Sequence, residues 1–204
     1  IRDDFEQGNP EPEELNDLEL GWRFTSEKST FLANLYYMDY TNQLVLTGAI
    51  NDVGAPLREN VGKSSRLGIE LEGNFALSSR WSWQPNISLS NNQNHDFYFE
   101  RDGRLTDLGN TKLSYSPAVV AANIIAFRPN DDWRIALLTK HVGEQYMGNI
   151  DAELSKLKAY TVTDLNVSYR MVPKSLFKEI NISLLLNNLL DVNYVSNGYF
   201  YTFD

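Results

Sequence analysis

Cysteine is missing from all 204 residues, so neither a disulfide framework nor a thiolate metal site holds this chain together. Long apolar runs are missing as well. Nothing approaches the roughly 17–25 residues of a membrane-crossing helix, an absence that leaves a β-barrel untouched because a barrel crosses with strands. Positive charge is scarce: 18 Lys and Arg stand against 27 Asp and Glu, a net charge of −9, which argues against a nucleic-acid partner. Part of the excess sits at the start, where Asp3, Asp4, Glu6, Glu11, Glu13 and Glu14 face only Arg2; such a run reads as a solvated segment. There is no glycine-rich phosphate loop, no HExxH and no cluster with metal-ligand spacing, so no cofactor or metal is expected.

What is present is alternation. Leu67, Ile69, Leu71, Phe75 and Leu77 alternate with Arg66, Gly68, Glu70, Glu72 and Asn74, and after Ser78-Ser79-Arg80 the pattern resumes with Trp81, Trp83, Ile87 and Leu89 against Ser82, Gln84, Asn86 and Ser88. Period two over two runs with a short polar break predicts an antiparallel hairpin. Similar runs predict strands over about 15–25, 30–46, 64–78, 81–95, 118–128, 133–146, 159–172 and 180–191, with no competing helical period. The connections alternate strictly. "TSEKST", "SSR", "PNDD" and "PKSLFKE" are short, whereas 47–63, 96–117 and 147–158 are long and another long segment opens after Asp191.

Alternation of short and long connections predicts an all-β, antiparallel up-and-down meander with tight turns at one end and large loops at the other; a sandwich needs Greek-key crossings that break this order. Most predicted strands have the length of a tilted membrane-spanning strand rather than the five or six residues usual in globular sheets, about 9–11. Aromatic residues gather near the short turns (Trp22, Phe24, Phe31, Trp81, Trp83, Phe127, Trp133, Tyr169, Phe177) and toward the long loops (Tyr36, Tyr37, Tyr40, Tyr98, Tyr146, Tyr160, Tyr194), as two interfacial belts would. The polar parity is therefore expected to line a lumen, with Asp17, Glu19, Arg23, Arg66, Glu70, Glu72, Asp164 and Arg170 facing inward and Leu67, Ile69, Leu71, Ile87 and Leu89 facing lipid. A soluble sheet with one wet face shows the same parity, so a soluble all-β ligand-binding module stays open, as does a small structural or adhesive outer-membrane barrel. Two features resist the pattern: "AVVAANIIAFR" is apolar on both faces except at Asn123, and Pro85 sits inside a strand, where it removes a ladder hydrogen bond.

With short turns periplasmic and long loops outside, both chain ends fall outside the membrane, and an open sheet in lipid leaves edge groups unpaired. The chain, with neither an initiator Met nor a leader, is thus expected to be an excerpt whose outer strands are unsatisfied edges when it is isolated. The segments "ANLYYMDYTNQLVLTGAINDVGAPLRENVGKSSRLGIELEG", "SPAVVAANIIAFRP", "HVGEQYMGN" and "NNLLDVNYVSNGYFY" resemble the C-terminal half of the barrel of TonB-dependent outer-membrane receptors, especially those of Bacteroidetes type. The resemblance runs from Leu15 onward and implies one partial barrel domain over 1–204, the plug, early strands and final strand lying elsewhere. It further implies a plugged barrel of about 22 strands in the bacterial outer membrane. Such a protein imports a scarce small-molecule ligand, such as a ferric siderophore or cobalamin, with TonB-supplied energy; its partners are lipid, its own plug and remaining strands, and TonB acting through an N-terminal region.

No enzyme is expected. His95 and His141 lie on different strands, and Ser90, His95 and Asp96, though close in sequence, form a triad only if geometry brings them together. Glu70 and Glu72 share a face with Arg66 and Arg23, so a packed, salt-bridged lumen wall against the plug is expected rather than acid–base chemistry. In the longest loop, "DFYFERDGRLTD", the rings of Phe97, Tyr98 and Phe99 with Arg101 and Arg104 suit capture of an anionic chelate; the same rings equally suit an outer aromatic belt.

Overall fold

The computed structural model describes residues 11–50, 56–101, 104–173 and 177–200, and the first ten residues, with Asp3, Asp4 and Glu6 of the acidic run, lie outside them. Its elements are β1 (Glu14–Thr25), β2 (Ser29–Ile50), β3 (Pro56–Ala76), β4 (Trp81–His95), β5 (Tyr98–Arg101), β6 (Arg104–Asp107), β7 (Thr111–Lys112), β8 (Val119–Phe127), β9 (Trp133–Val142), β10 (Gln145–Tyr146), β11 (Lys156–Leu157), β12 (Tyr160–Met171) and β13 (Ile180–Leu186), with one 3-10 turn at Glu153–Ser155. The long strands form one antiparallel sheet in the order β1-β2-β3-β4-β8-β9-β12-β13, with β7 added beside β4. This is the expected meander, and β1 and β13 are its open edges.

The first three short turns fall where the sequence places them, closed by polar side chains: Ser26, Ser78 and Asn130 each accept backbone N–H groups of the turn that follows; the fourth, "PKSLFKE", lies partly outside the described residues. The long connections carry more structure than alternation reveals. The β2–β3 ladder continues past Thr41 as far as Ile50↔Pro56, with an irregularity between Leu46 and Ile50. The connection after β4 holds the β5–β6 hairpin and β7. The strand expected over 133–146 stops at Val142, and Gln145–Tyr146 pairs with β11 in a separate ladder. The last strand stops at Leu186, earlier than expected, because Asn188 and Asp191 take left-handed φ of 50° and 51°. That turn is closed by Asn188, whose Oδ1 accepts the Val192 N–H and whose Nδ2 donates to the Val192 carbonyl.

Pro85 does interrupt the sheet. The β3–β4 pairs run from Glu72↔Asn86 directly to Phe75↔Trp83, and the intervening pairs are absent although the register is unchanged. Missing one N–H costs local pairing but not alignment, because the long strands on either side hold it.

Candidate functional site

Residues directly opposite in an antiparallel ladder share a face, so the registers sort every side chain of the sheet. One row reads Arg23, Leu32, Glu72, Asn86, Ala122, Lys140, Val162; a second reads Gly21, Asn34, Glu70, Ser88; a third Asp17, Met38, Arg66, Asn92. Glu19 joins through Tyr36, Asp164 through Leu138 and Arg170 through Asn181. All the residues expected to point inward therefore lie on one face. The opposite face carries Leu20, Leu35, Ile69, Leu89 and Val119 in one row and Trp83, Ile125, Leu137, Leu165 and Leu186 in another.

Within the sheet itself, ion pairs are not what holds the charged face together. Among the described residues, Arg66 makes no salt bridge; its Nη1 donates to Ser116 Oγ at 3.3 Å and its guanidinium lies 5.8 Å from the centre of the Tyr40 ring. Glu19 accepts from Asn34 Nδ2 at 3.1 Å, and Arg170 reaches only Asp132, at 3.9 Å. The reason is spacing: Arg66 is four and six residues from Glu70 and Glu72 along one strand, beyond side-chain reach at about 3.3 Å per residue. Asp164 has a structural task, accepting the Asn188 N–H at 2.7 Å and so tying the tail to the sheet. Tyr36 covers Gly68 so closely that a Cβ there would lie 2.5 Å from its ring.

Of the two expected belts, the structure builds one as a belt. Trp22 and Phe31, Phe75 and Trp83, Trp81 and Phe127, and Trp133 and Tyr169 sit with ring centres 5.8, 5.5, 4.6 and 4.6 Å apart, all on the apolar face near the short turns. At the other end the rings divide. Tyr37 has apolar parity, while Tyr36, Tyr40 and Tyr160 have the parity of the charged face. Tyr146 is buried in the loops, where the Lys112 and Lys156 ammonium groups lie 5.5 and 5.2 Å from its ring centre, and Tyr160 stacks on Tyr194 of the tail.

The loop residues expected to capture ligand separate into two groups. Phe97 is 7% exposed and packs with Val45 and Leu113, with Phe99 and Ile150 against them. Tyr98 and Arg104 are exposed. Arg101 pairs with Arg104 through the hairpin backbone, its side chain lying outside the described residues. Beside this cluster runs a polar network that period-two reading missed. Asn94, fully buried, donates from Nδ2 to Thr111 Oγ1 and Asn149 Oδ1 at 3.1 and 3.4 Å; Asn149 Oδ1 also takes the Ser114 N–H, and Asp151 Oδ1 takes the Lys112 N–H. The run of Asn and Ser after Leu89 is its sequence signal. Glu11 and Glu13 are not merely solvated: their carboxylates accept from Asn42 Nδ2 and the Leu44 N–H, beyond the end of β1.

His95 Nε2 lies 2.7 Å from Ser65 Oγ and His141 Nδ1 2.9 Å from Thr161 Oγ1, while Ser90 Oγ donates to the Pro117 carbonyl. Ser90, His95 and Asp96 thus have separate partners, and no cluster of three metal-ligating side chains occurs among the described residues. In the loops, burial, with Tyr199 nearby, raises the Tyr115 phenol, whose hydroxyl donates to the Gly198 carbonyl at 2.7 Å. A hydrogen bond to Glu153, then Tyr146, holds the Lys156 ammonium above its ordinary range.

The family model described as TonB dependent receptor-like, beta-barrel, matches residues 2–189. Among solved structures, the ferric yersiniabactin uptake receptor FyuA from Yersinia pestis is similar at a TM-score of 0.68 and 19% identity, over 93% of this chain and 27% of that one. The copper transporter OprC is similar at 0.67 and 19%, over 93% and 27%. The ferric-catecholate import receptor Fiu from E. coli K12, closed form, is similar at 0.64 and 21%, over 94% and 26%. The chain thus spans about a quarter of the length of these structures, and at such identities they show a shared fold. No curated protein matches.

Proposed function

Since the chain belongs to the TonB-dependent receptor β-barrel family, whose members are outer-membrane barrels, we propose that it forms part of the wall of an active transporter importing a scarce ligand with TonB-supplied energy. The observation that carries this reading is the register: across the sheet every charged residue singled out in the sequence falls on one face and the ring belt falls on the other. A wall between water and hydrocarbon needs that division. In this reading Asp17, Glu19, Arg23, Arg66, Glu70, Glu72, Asp164 and Arg170 line the lumen, facing the protein's own plug. Outer-membrane lipid covers Ile69, Leu71, Ile87 and Leu89, and β1 and β13 pair with the remaining strands. A ferric siderophore, cobalamin or a similar chelate is the ligand class, and the affinity to receptors of Bacteroidetes type belongs to the same proposal.

Spin labels placed on the full-length receptor test the wall. Labels at Ile69 and Leu89 should be accessible to lipid-soluble oxygen and labels at Glu70 and Ser88 should not; the reverse pattern sinks the reading. Ligand capture falls to Tyr98 and Arg104, which are exposed, with Phe97 and Phe99 shaping the loop beneath them and Arg101 completing its charge. Replacing Tyr98, Arg101 and Arg104 together should weaken binding of the transported chelate about tenfold, or about 1.4 kcal/mol, with barrel assembly intact. Unchanged affinity removes the loop from ligand capture.

A further inference from the structure

The apolar face is not evenly filled. A cavity of 650 Å3 opens on it, bordered by Phe31, Leu71, Phe75, Trp83 and Ile87. It exists because small or flat residues meet there: Gly73, where a Cβ would collide with the Phe75 ring lying across it, and Pro85 and Ala121. Its polar lining comes from Asn123, Thr139 and His141 on the apolar face and from Glu72 and Asn86, which belong to the charged-face row. Thr139 Oγ1 has the Thr163 hydroxyl at 3.3 Å and His141 has Thr161. Asn123 is different: among the described residues its carboxamide makes no hydrogen bond. It sits at the centre of β8, four residues from Phe127 of the ring belt, or about 13 Å along the strand. An amide without a partner at that depth in hydrocarbon costs several kcal/mol.

We propose that this groove is a lipid site that takes one acyl chain carrying an oxygen within the chain, as hydroxyacyl and acyloxyacyl lipids do, with that oxygen hydrogen-bonded to Asn123. The inference rests on the assignment of the apolar face to lipid. The groove is continuous with the ring belt through Phe75, Trp83 and Ile125 and with the Ile69–Leu89 row, so hydrocarbon is the medium beside it. Its volume falls within the range of small-ligand sites, about 300–1,000 Å3. Plain chains fill the apolar part but leave the carboxamide unpaired; a hydroxyl supplies both a donor and an acceptor.

The test uses the full-length receptor in phosphatidylcholine bilayers brominated on the acyl chain, with Trp83 emission isolated as the difference between wild type and Trp83→Phe. Unbrominated phosphatidylcholine bearing 10-hydroxyoctadecanoyl chains, whose hydroxyl lies at mid-chain as Asn123 does in the strand, is titrated in, against the same lipid with plain octadecanoyl chains. Trp83 emission should recover at a mole fraction about tenfold lower for the hydroxyacyl lipid, and Asn123→Leu should abolish that preference. Ala121→Phe, which fills the groove, should reduce the quenching of Trp83 itself. Equal recovery with both lipids, in wild type and Asn123→Leu alike, overturns the site while leaving the lipid face in place. Trp83 protected while Trp81, isolated through Trp81→Phe, is quenched means that a protein covers the groove, and also overturns the site. Neither Trp83 nor Trp81 quenched by brominated lipid overturns the lipid face as well.

Discussion

At the short-turn end of the sheet the rings from Trp22 to Tyr169 share one face and meet in pairs across the strands, and little else is packed. At the long-loop end rings of the same chemistry scatter over both faces and into loops, while Asn94, Asn149, Ser64 and Ser155 are the largest fully buried side chains among the described residues. The difference teaches what orients a side chain in each place. Where a strand is two-sided, parity and the media on its two sides decide; where connections are long enough to fold on each other, mutual packing and backbone hydrogen-bond demand decide. Phe97 and Trp81 show it: both are aromatic, but one plugs the Val45–Leu113 cluster and the other is 45% exposed beside Phe127.

The strongest way to break this comparison is to hollow out the loop end. Phe97→Ala leaves a cavity against Val45 and Leu113 and should cost about 3–5 kcal/mol of local stability, read as faster hydrogen exchange in 96–113 with β8, β9 and β12 unchanged. Spread of the loss into those strands would mean that the two ends are one cooperative unit. At the wall, Ile69→Arg should cost about 2–4 kcal/mol if its row lies near the bilayer midplane, measured by denaturant unfolding of the receptor in lipid vesicles. Glu70→Gln, one residue away on the other face, should change little, since Glu70 forms no ion pair among the described residues. Equal costs at Ile69 and Glu70 would erase the distinction between faces.

Smaller effects sharpen the contrast. Asn94→Ala withdraws donors from Thr111 and Asn149 and should cost about 1–3 kcal/mol, with proteolytic cleavage rising in the loops alone. The smallest effect is one of pH. The Tyr115 and Lys156 pKa values are both raised in the folded loops, so each contributes stability that is fully present below its unfolded value and lost as pH rises toward and through the folded one. Above about pH 10 the stability that the Tyr115–Gly198 and Lys156–Glu153 contacts lend to the loops should decline, and Tyr115→Phe should remove the tyrosine part of that alkaline step. Tail proteolysis followed against pH checks it.

Much of the wall was legible from residue order. The strands of the meander, the first three short turns, the shared face of Asp17, Glu19, Arg66, Glu70, Glu72 and Arg170, and the interruption at Pro85 all follow from period two and turn chemistry, which act between neighbours in sequence. The loops were not legible, because the partners there are far apart: Val45 with Phe97 and Leu113, Asn94 with Asn149, Tyr115 with Gly198. The residues proposed for ligand capture suffered most, since alternation says nothing about which ring of Phe97-Tyr98-Phe99 packs inward.

By itself, then, the order of residues determined the fold class, the alternation of short and long connections and the separation of charge from apolar side chains, because strand geometry turns a period of two into two faces without outside help. Tertiary structure alone decided three things. It placed Asn123 on the apolar face, since a strand apolar on both sides takes its facing from the registers of β4 and β9. It gave Arg66 a partner in Ser116 from a distant loop. It also ended the last strand at Leu186, where Asp164 captures the Asn188 N–H and the left-handed turn at Asn188 outweighs an apolar sequence still able to continue as strand.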